Sequence, residues 1–97
     1  MLGLFNKSKK IKQFMEDGAS IIDVRSKTEF EGGHLRNSIN IPLDSIPKQL
    51  GSLDKNKPVI TCCASGIRSG QAKRMLKANG FKVLNGGGWM SLEKYDV

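Results

Sequence analysis

Four short apolar runs, Ser20–Val24, Ser38–Ile41, Pro58–Thr61 and Phe81–Leu84, recur along the chain with helix-like segments between them. The runs are brief and carry β-branched or aromatic residues, as buried strands do. The intervening segments place apolar residues three and four apart instead. Ile11, Phe14 and Met15 do so within 7–17, and Ala72, Met75, Leu76 and Ala78 within 69–79. Repeated strand-then-helix order calls for parallel strands joined by helical crossovers. The expected fold is α/β, a small mostly parallel β-sheet with helices on both faces. Its 97 residues supply one hydrophobic core and no second one. A single domain is expected over 1–97, with its core over about 20–95 and a basic helix over 1–18 ahead of it.

Local signals mark the boundaries. Gly18 follows the first helical segment, and Gly80 follows the Ser69–Asn79 helix, whose polar side carries Lys73, Arg74 and Lys77. Ser26 with Glu29 three residues later forms a capping box for a short helix that Gly32 and Gly33 end. Asp44–Leu50 reads as another short helix, since its first turn tolerates Pro47. Gly86–Gly88 reads as a loop and Trp89–Tyr95 as a terminal helix offering Trp89, Met90 and Leu92 to the core. The three glycines lack the spaced fingerprint of a nucleotide-binding turn.

Sixteen basic residues against nine acidic ones leave a formal charge of +7, which favours anionic partners without selecting one. With one Trp, one Tyr and four Phe, and lysines spread beyond the cluster Lys7, Lys9, Lys10 and Lys12, a solvated basic face is expected rather than a nucleic-acid interface. No apolar run approaches the ~18 residues of a membrane span. Leu2–Phe5 precedes the lysines, where a secretory signal would follow them, so a cytoplasmic location is expected; the small chain is expected to be a monomer. The two cysteines are adjacent, which would strain a disulfide between them. With His34 as the single histidine, they make a poor metal site.

That leaves thiol chemistry. In Val59–Ser69 a buried strand runs through a thiol and a glycine into a helix. A loop entering a helix turns successive N–H groups inward, and together with the helix dipole these cradle an anion. A cysteine at that mouth is stabilised as thiolate, the nucleophilic form. Gly66 permits a tight turn, and Arg68 adds a permanent fork-shaped cation.

Cys63, Ala64, Ser65, Gly66, Ile67 and Arg68 resemble the active-site loop of the rhodanese family, in which a cysteine is followed by four residues and an arginine. Four more segments resemble that family in the same order: Ile22–Arg25, Glu29–Phe30, Gly33–Leu35 leading to Asn40–Pro42, and Asn85–Trp89. The resemblance covers about Ser20 to Tyr95 and implies a rhodanese-like domain. It implies that Cys63 takes the outer sulfur of thiosulfate or a persulfide, becomes a persulfide, and passes it to a thiol or cyanide acceptor. Cys63 and Arg68 are then the catalytic pair, and Ala64, Ser65, Gly66, Ile67 and Ser69 the binding loop. Asp23 and Arg25 would brace that loop, with His34 and Cys62 in support. No metal, organic cofactor, nucleic acid or membrane is implied; the partners are a small anionic donor and a small or protein thiol acceptor.

Other readings stay open. The spacing of Cys62 and Arg68 is that of cysteine-dependent phosphatases and arsenate reductases, although Ser65 stands where they usually have glycine, and Thr61 where they have histidine. Cys62 is otherwise a small buried residue or a resolving thiol. His34 reads as structural, because a preformed thiolate needs no strong base. A persulfide carrier loaded and unloaded by partner proteins would use the same loop. A dead regulatory domain is disfavoured by the presence of both Cys63 and Arg68.

Overall fold

The computed structural model describes residues 2–95, with side chains from Lys7 onward. Met1, Asp96 and Val97, part of the expected domain over 1–97, lie outside the described residues. Helix α1 spans Leu2–Glu16, strand β1 Ser20–Asp23, helix α2 Lys27–Glu31 and strand β2 Ser38–Asn40. Ile46–Gln49 forms the single turn α3 between two 3₁₀ turns, Leu43–Ser45 and Leu50–Ser52. Strand β3 is Val59–Cys63, helix α4 Ile67–Ala78, strand β4 Val83–Gly88, and a 3₁₀ helix runs Trp89–Tyr95.

The four strands form one sheet in the order β2-β1-β3-β4, with every pairing parallel. Chain order reverses between β1 and β3, so their carboxyl ends border the crevice where such sheets place ligands. Because side chains alternate across a strand, the sheet separates two half-cores. Ile22, Val24, Val59 and Val83 face Ala72 and Leu76 of α4 and Ile46 of α3. Ile21 and Ile60 face Ile11 and Phe14 of α1 and Leu92 of the terminal 3₁₀ helix. Cys63 belongs to the first cluster and Cys62 to the second, so the two adjacent thiols lie on opposite faces of the sheet.

The Ser26 capping box forms as expected: Ser26 Oγ accepts from the Glu29 amide, and a Glu29 carboxylate oxygen accepts from the Ser26 amide. Elsewhere boundaries move. Strand β3 runs on through both cysteines, and α4 begins at Ile67 rather than Ser69 because Gly66, at φ 100°, turns the chain at once into the helix. Gly86–Gly88 is not a loop but the end of β4. Its register opposes Thr61 to Asn85 and Cys63 to Gly88, leaving Gly86 and Gly87 opposite Cys62 alone, a bulge. A Cβ at Gly86 would lie 2.8 Å from Ile60 Cγ2 and 2.9 Å from the Thr61 carbonyl oxygen, so close packing demands this glycine. Met90, offered to the core by the sequence pattern, is 66% exposed, because the terminal segment is a 3₁₀ helix and turns Leu92 inward instead.

Candidate active site

Cys63 ends β3, and α4 starts four residues later. This short connection folds the first-turn amides of α4 back over the sulfur. Cys63 Sγ accepts from the Gly66 amide at 3.0 Å and from the Ser69 amide at 3.4 Å, and lies 3.4 Å from Ser69 Oγ. Burial opposes ionisation of this thiol. The Ser69 hydroxyl and the amides of Ser69, Gly66 and Ser65 outweigh it and hold Cys63 below the usual thiol range. Cys63 is 1% exposed, so the sulfur does not sit in an open pocket. It lies one layer down, beneath exposed Ala64 and Ser65, with the amides turned toward it.

Two residues that the motif left without a role hold the loop in shape. Asn85 Oδ1 accepts from Ser69 Oγ at 2.7 Å and from the Gly87 amide at 2.9 Å, while its Nδ2 donates to the Gly66 carbonyl at 3.0 Å. Thr61 Oγ1 donates to the Ser69 carbonyl at 2.9 Å. A polar residue closing an apolar strand run, Thr61, and one directly following such a run, Asn85, were the available signals. Bulge and loop also touch directly: a Cβ on Gly66 would lie 3.3 Å from Gly87 Cα, and one on Gly88 2.9 Å from the Ala64 carbonyl oxygen.

Arg68 makes no hydrogen bond to the thiol. Its guanidinium makes a two-pronged pair with Glu29 at 2.7 and 3.0 Å, with both side chains over a third exposed. That hydrogen bond, helped by the Ser26 amide, lowers the Glu29 carboxyl to about 2. Glu29, read from sequence as a helix-capping residue, is thus also the partner of Arg68. Arg68 further walls an apolar cavity of about 340 Å³ with Val24, Pro42, Leu43, Pro47 and Met75.

Asp23 and Arg25 pair with each other: Arg25 donates to the buried carboxylate from Nε and from an outer guanidinium nitrogen, the latter at 2.8 Å. The same guanidinium donates to the Gly33 carbonyl at 2.7 Å and stacks 4.7 Å from the Trp89 ring centre. The expected brace on the cysteine loop is therefore indirect. It ties the segment after α2 to the sheet, and α2 carries Glu29 to Arg68. His34 is exposed, stacks on Phe30 at 3.8 Å and bonds the Phe30 carbonyl through Nδ1 at 2.7 Å, a local structural role. Cys62 is fully buried; burial, with the Asp23 carboxylate adding, pushes its thiol up to about 12. Among the described residues, no group of His, Cys, Asp and Glu is placed to hold a metal ion.

A parallel sheet whose third strand delivers a cysteine into amides at a helix start defines a class of domains that cradle a thiol sulfur in backbone N–H groups. Within that class, the rhodanese-like domain family model matches residues 7–92, and the chain belongs to that family, which is of the sulfurtransferase type. It is 42% identical over 62 residues to the uncharacterized protein YqhL of Bacillus subtilis (strain 168), covering 64% of this chain and 49% of YqhL. It is 36% identical over 77 residues to the "Putative sulfur carrier protein YrkF" of the same strain, covering 78% of this chain and 42% of YrkF. The chain thus spans about half or less of these curated relatives. A solved structure described as a rhodanese with anions from E. coli superposes with a TM-score of 0.69 at 36% identity, covering 74% of this chain and 88% of that one.

Proposed function

We propose that this chain moves sulfane sulfur through a persulfide on Cys63. The observation that carries the reading is the convergence of the Gly66 and Ser69 amides on one sulfur atom, with the Ser69 hydroxyl 3.4 Å from it. Donors fixed in advance around a buried sulfur favour the thiolate, and they go on favouring negative charge when a second sulfur is attached. In the first step the Cys63 thiolate attacks the outer sulfur of thiosulfate. A new S–S bond forms, the old one breaks, and its electron pair leaves with sulfite. In the second step an acceptor thiolate attacks the outer sulfur of the persulfide and returns Cys63 as thiolate. No outside oxidant or reductant enters. The first-turn amides of Ile67 and Arg68, which lack partners one turn back in the helix, are available to the outer sulfur.

Incubation with thiosulfate followed by intact-mass measurement tests this. Wild type and Cys62→Ala should gain the mass of one sulfur atom, and Cys63→Ala none. A gain that survives Cys63→Ala overturns the assignment.

Likeness to YrkF favours a second reading, in which the loaded domain hands its sulfur to a partner protein. Turnover of cyanide or glutathione marks the enzyme, and loading without turnover marks the carrier. Phosphate transfer through Cys62 has no geometric support, since that thiol lies in the half-core on the other side of the sheet.

A further inference from the structure

Strand β4 is an outer strand of the sheet, with β3 on one side and, among the described residues, no strand on the other. A cavity of about 450 Å³ lies against it, lined by Lys10, Phe14, Lys73, Lys77, Lys82 and Leu84, among others. Lys10 and Phe14 belong to α1, which packs on one face of the sheet, while Lys73 and Lys77 belong to α4 on the opposite face. A hollow lined by both helices and by β4 must straddle the free edge. Four ammonium groups border it, and the two ion pairs among the described residues, Arg25 with Asp23 and Arg68 with Glu29, include none of the four. The lining also includes Gln13, which donates to the Asp17 carboxylate just past the end of α1. Lys82 lies 5.2 Å from the Phe14 ring centre, and Phe14 and Val83 floor the hollow.

The geometry points to a docking edge for an acidic, extended polypeptide segment, which would add beside β4 as a fifth strand with its carboxylates among these lysines. Lysines on an edge also repel a second copy of the same chain, so this edge discriminates against self-pairing while remaining open to a strand of opposite charge. Nucleic acid fits less well. The ring at the site, Phe14, is 8% exposed and offers no face for base stacking, whereas the unpaired backbone edge suits a peptide.

The probe is a fluorescein-labelled peptide of alternating glutamate and valine, about eight residues long to match an ordinary strand. Fluorescence anisotropy at low salt should show binding that weakens as salt rises. Charge reversal in Lys73→Glu/Lys77→Glu should lower affinity by at least about tenfold, with persulfide loading of Cys63 unchanged, since neither lysine touches the cysteine loop. The same peptide N-methylated at alternate residues along one edge should lose binding, and amide NMR shifts on titration should centre on Lys82–Asn85. The proposal is overturned by any of four results: no peptide binding, indifference to charge reversal, retained affinity for the N-methylated peptide, or tighter binding of oligothymidine than of the peptide. Self-association of the free protein through this edge in sedimentation would also overturn it. None of these readouts uses sulfur transfer, so a failure of docking and a failure of persulfide chemistry are seen separately.

Discussion

Ser69 faces Cys63 with both its amide and its hydroxyl, whose single hydrogen points to Asn85 Oδ1 and can swing to the sulfur once the thiol ionises. A thiol held below its usual range is thiolate at lower pH than a free cysteine, so the rate of loading by thiosulfate should rise through a midpoint below that of a free thiol. Ser69→Ala removes the hydroxyl contribution and should move that midpoint to higher pH. At neutral pH the loss should be roughly fivefold in rate, equivalent to about 1 kcal/mol for one hydrogen bond. A stopped-flow pH profile of both proteins checks this, and an unmoved midpoint would detach Ser69 from thiolate stabilisation. Arg68 acts at longer range, because Glu29 occupies its fork. Arg68→Ala leaves the Glu29 carboxylate alone at the loop mouth, so kcat/KM for the dianionic donor should fall by about tenfold. Glu29→Gln frees the guanidinium and should raise kcat/KM at low salt, with the gain vanishing as salt rises. Since Glu29 stays ionised down to about pH 2, the pair is intact over any practical assay range, and the Arg68 effect should not vary with pH on the acid side.

Strand β4 and the cysteine loop are built against each other, so their glycines divide into packing and turning roles. At Gly86 the obstacles to a side chain include the Thr61 carbonyl, which cannot move without breaking the sheet. Gly86→Ala should therefore cost about 1–3 kcal/mol in urea unfolding. Gly66, by contrast, sits at φ 100° on the turn whose amide bonds the sulfur. Gly66→Ala should abolish loading while costing about 1–3 kcal/mol, because a side chain is strained at that φ and would lie 3.3 Å from Gly87 Cα. An Ala variant at position 66 that loads normally would show that the turn does not set the sulfur's environment. Helix α4 and the Ser26 capping box were legible beforehand because propensity, capping and apolar spacing act within a few residues. The end of β4 was not, because Gly-Gly-Gly has no strand preference of its own. Its conformation is imposed by Ile60, Leu92 and Thr61 pressing on Gly86.

At the scale of the whole molecule, two half-cores share one four-stranded sheet, and neither has a second sheet to fall back on. Leu76→Ala on the α4 face and Leu92→Ala on the α1 face should each cost about 2–5 kcal/mol. Together they approach the ~5–15 kcal/mol that holds a small domain folded. Each single variant should unfold in one cooperative urea transition, and the double variant should be largely unfolded. Two separate transitions would contradict the single shared core. The chain alone determined the strand and helix order, the parallel sheet, and the cysteine loop with its glycine and arginine, because each is encoded by neighbours along the chain. Tertiary structure decided what depends on partners distant in sequence. It set the two adjacent thiols on opposite faces, gave Arg68 to Glu29 rather than to the sulfur, and made Asn85 the brace of the loop. The extension of β3 through both cysteines, which strand alternation then sends to opposite faces, and the approach of separate elements belong to the packed sheet, and no local pattern of residues specifies them.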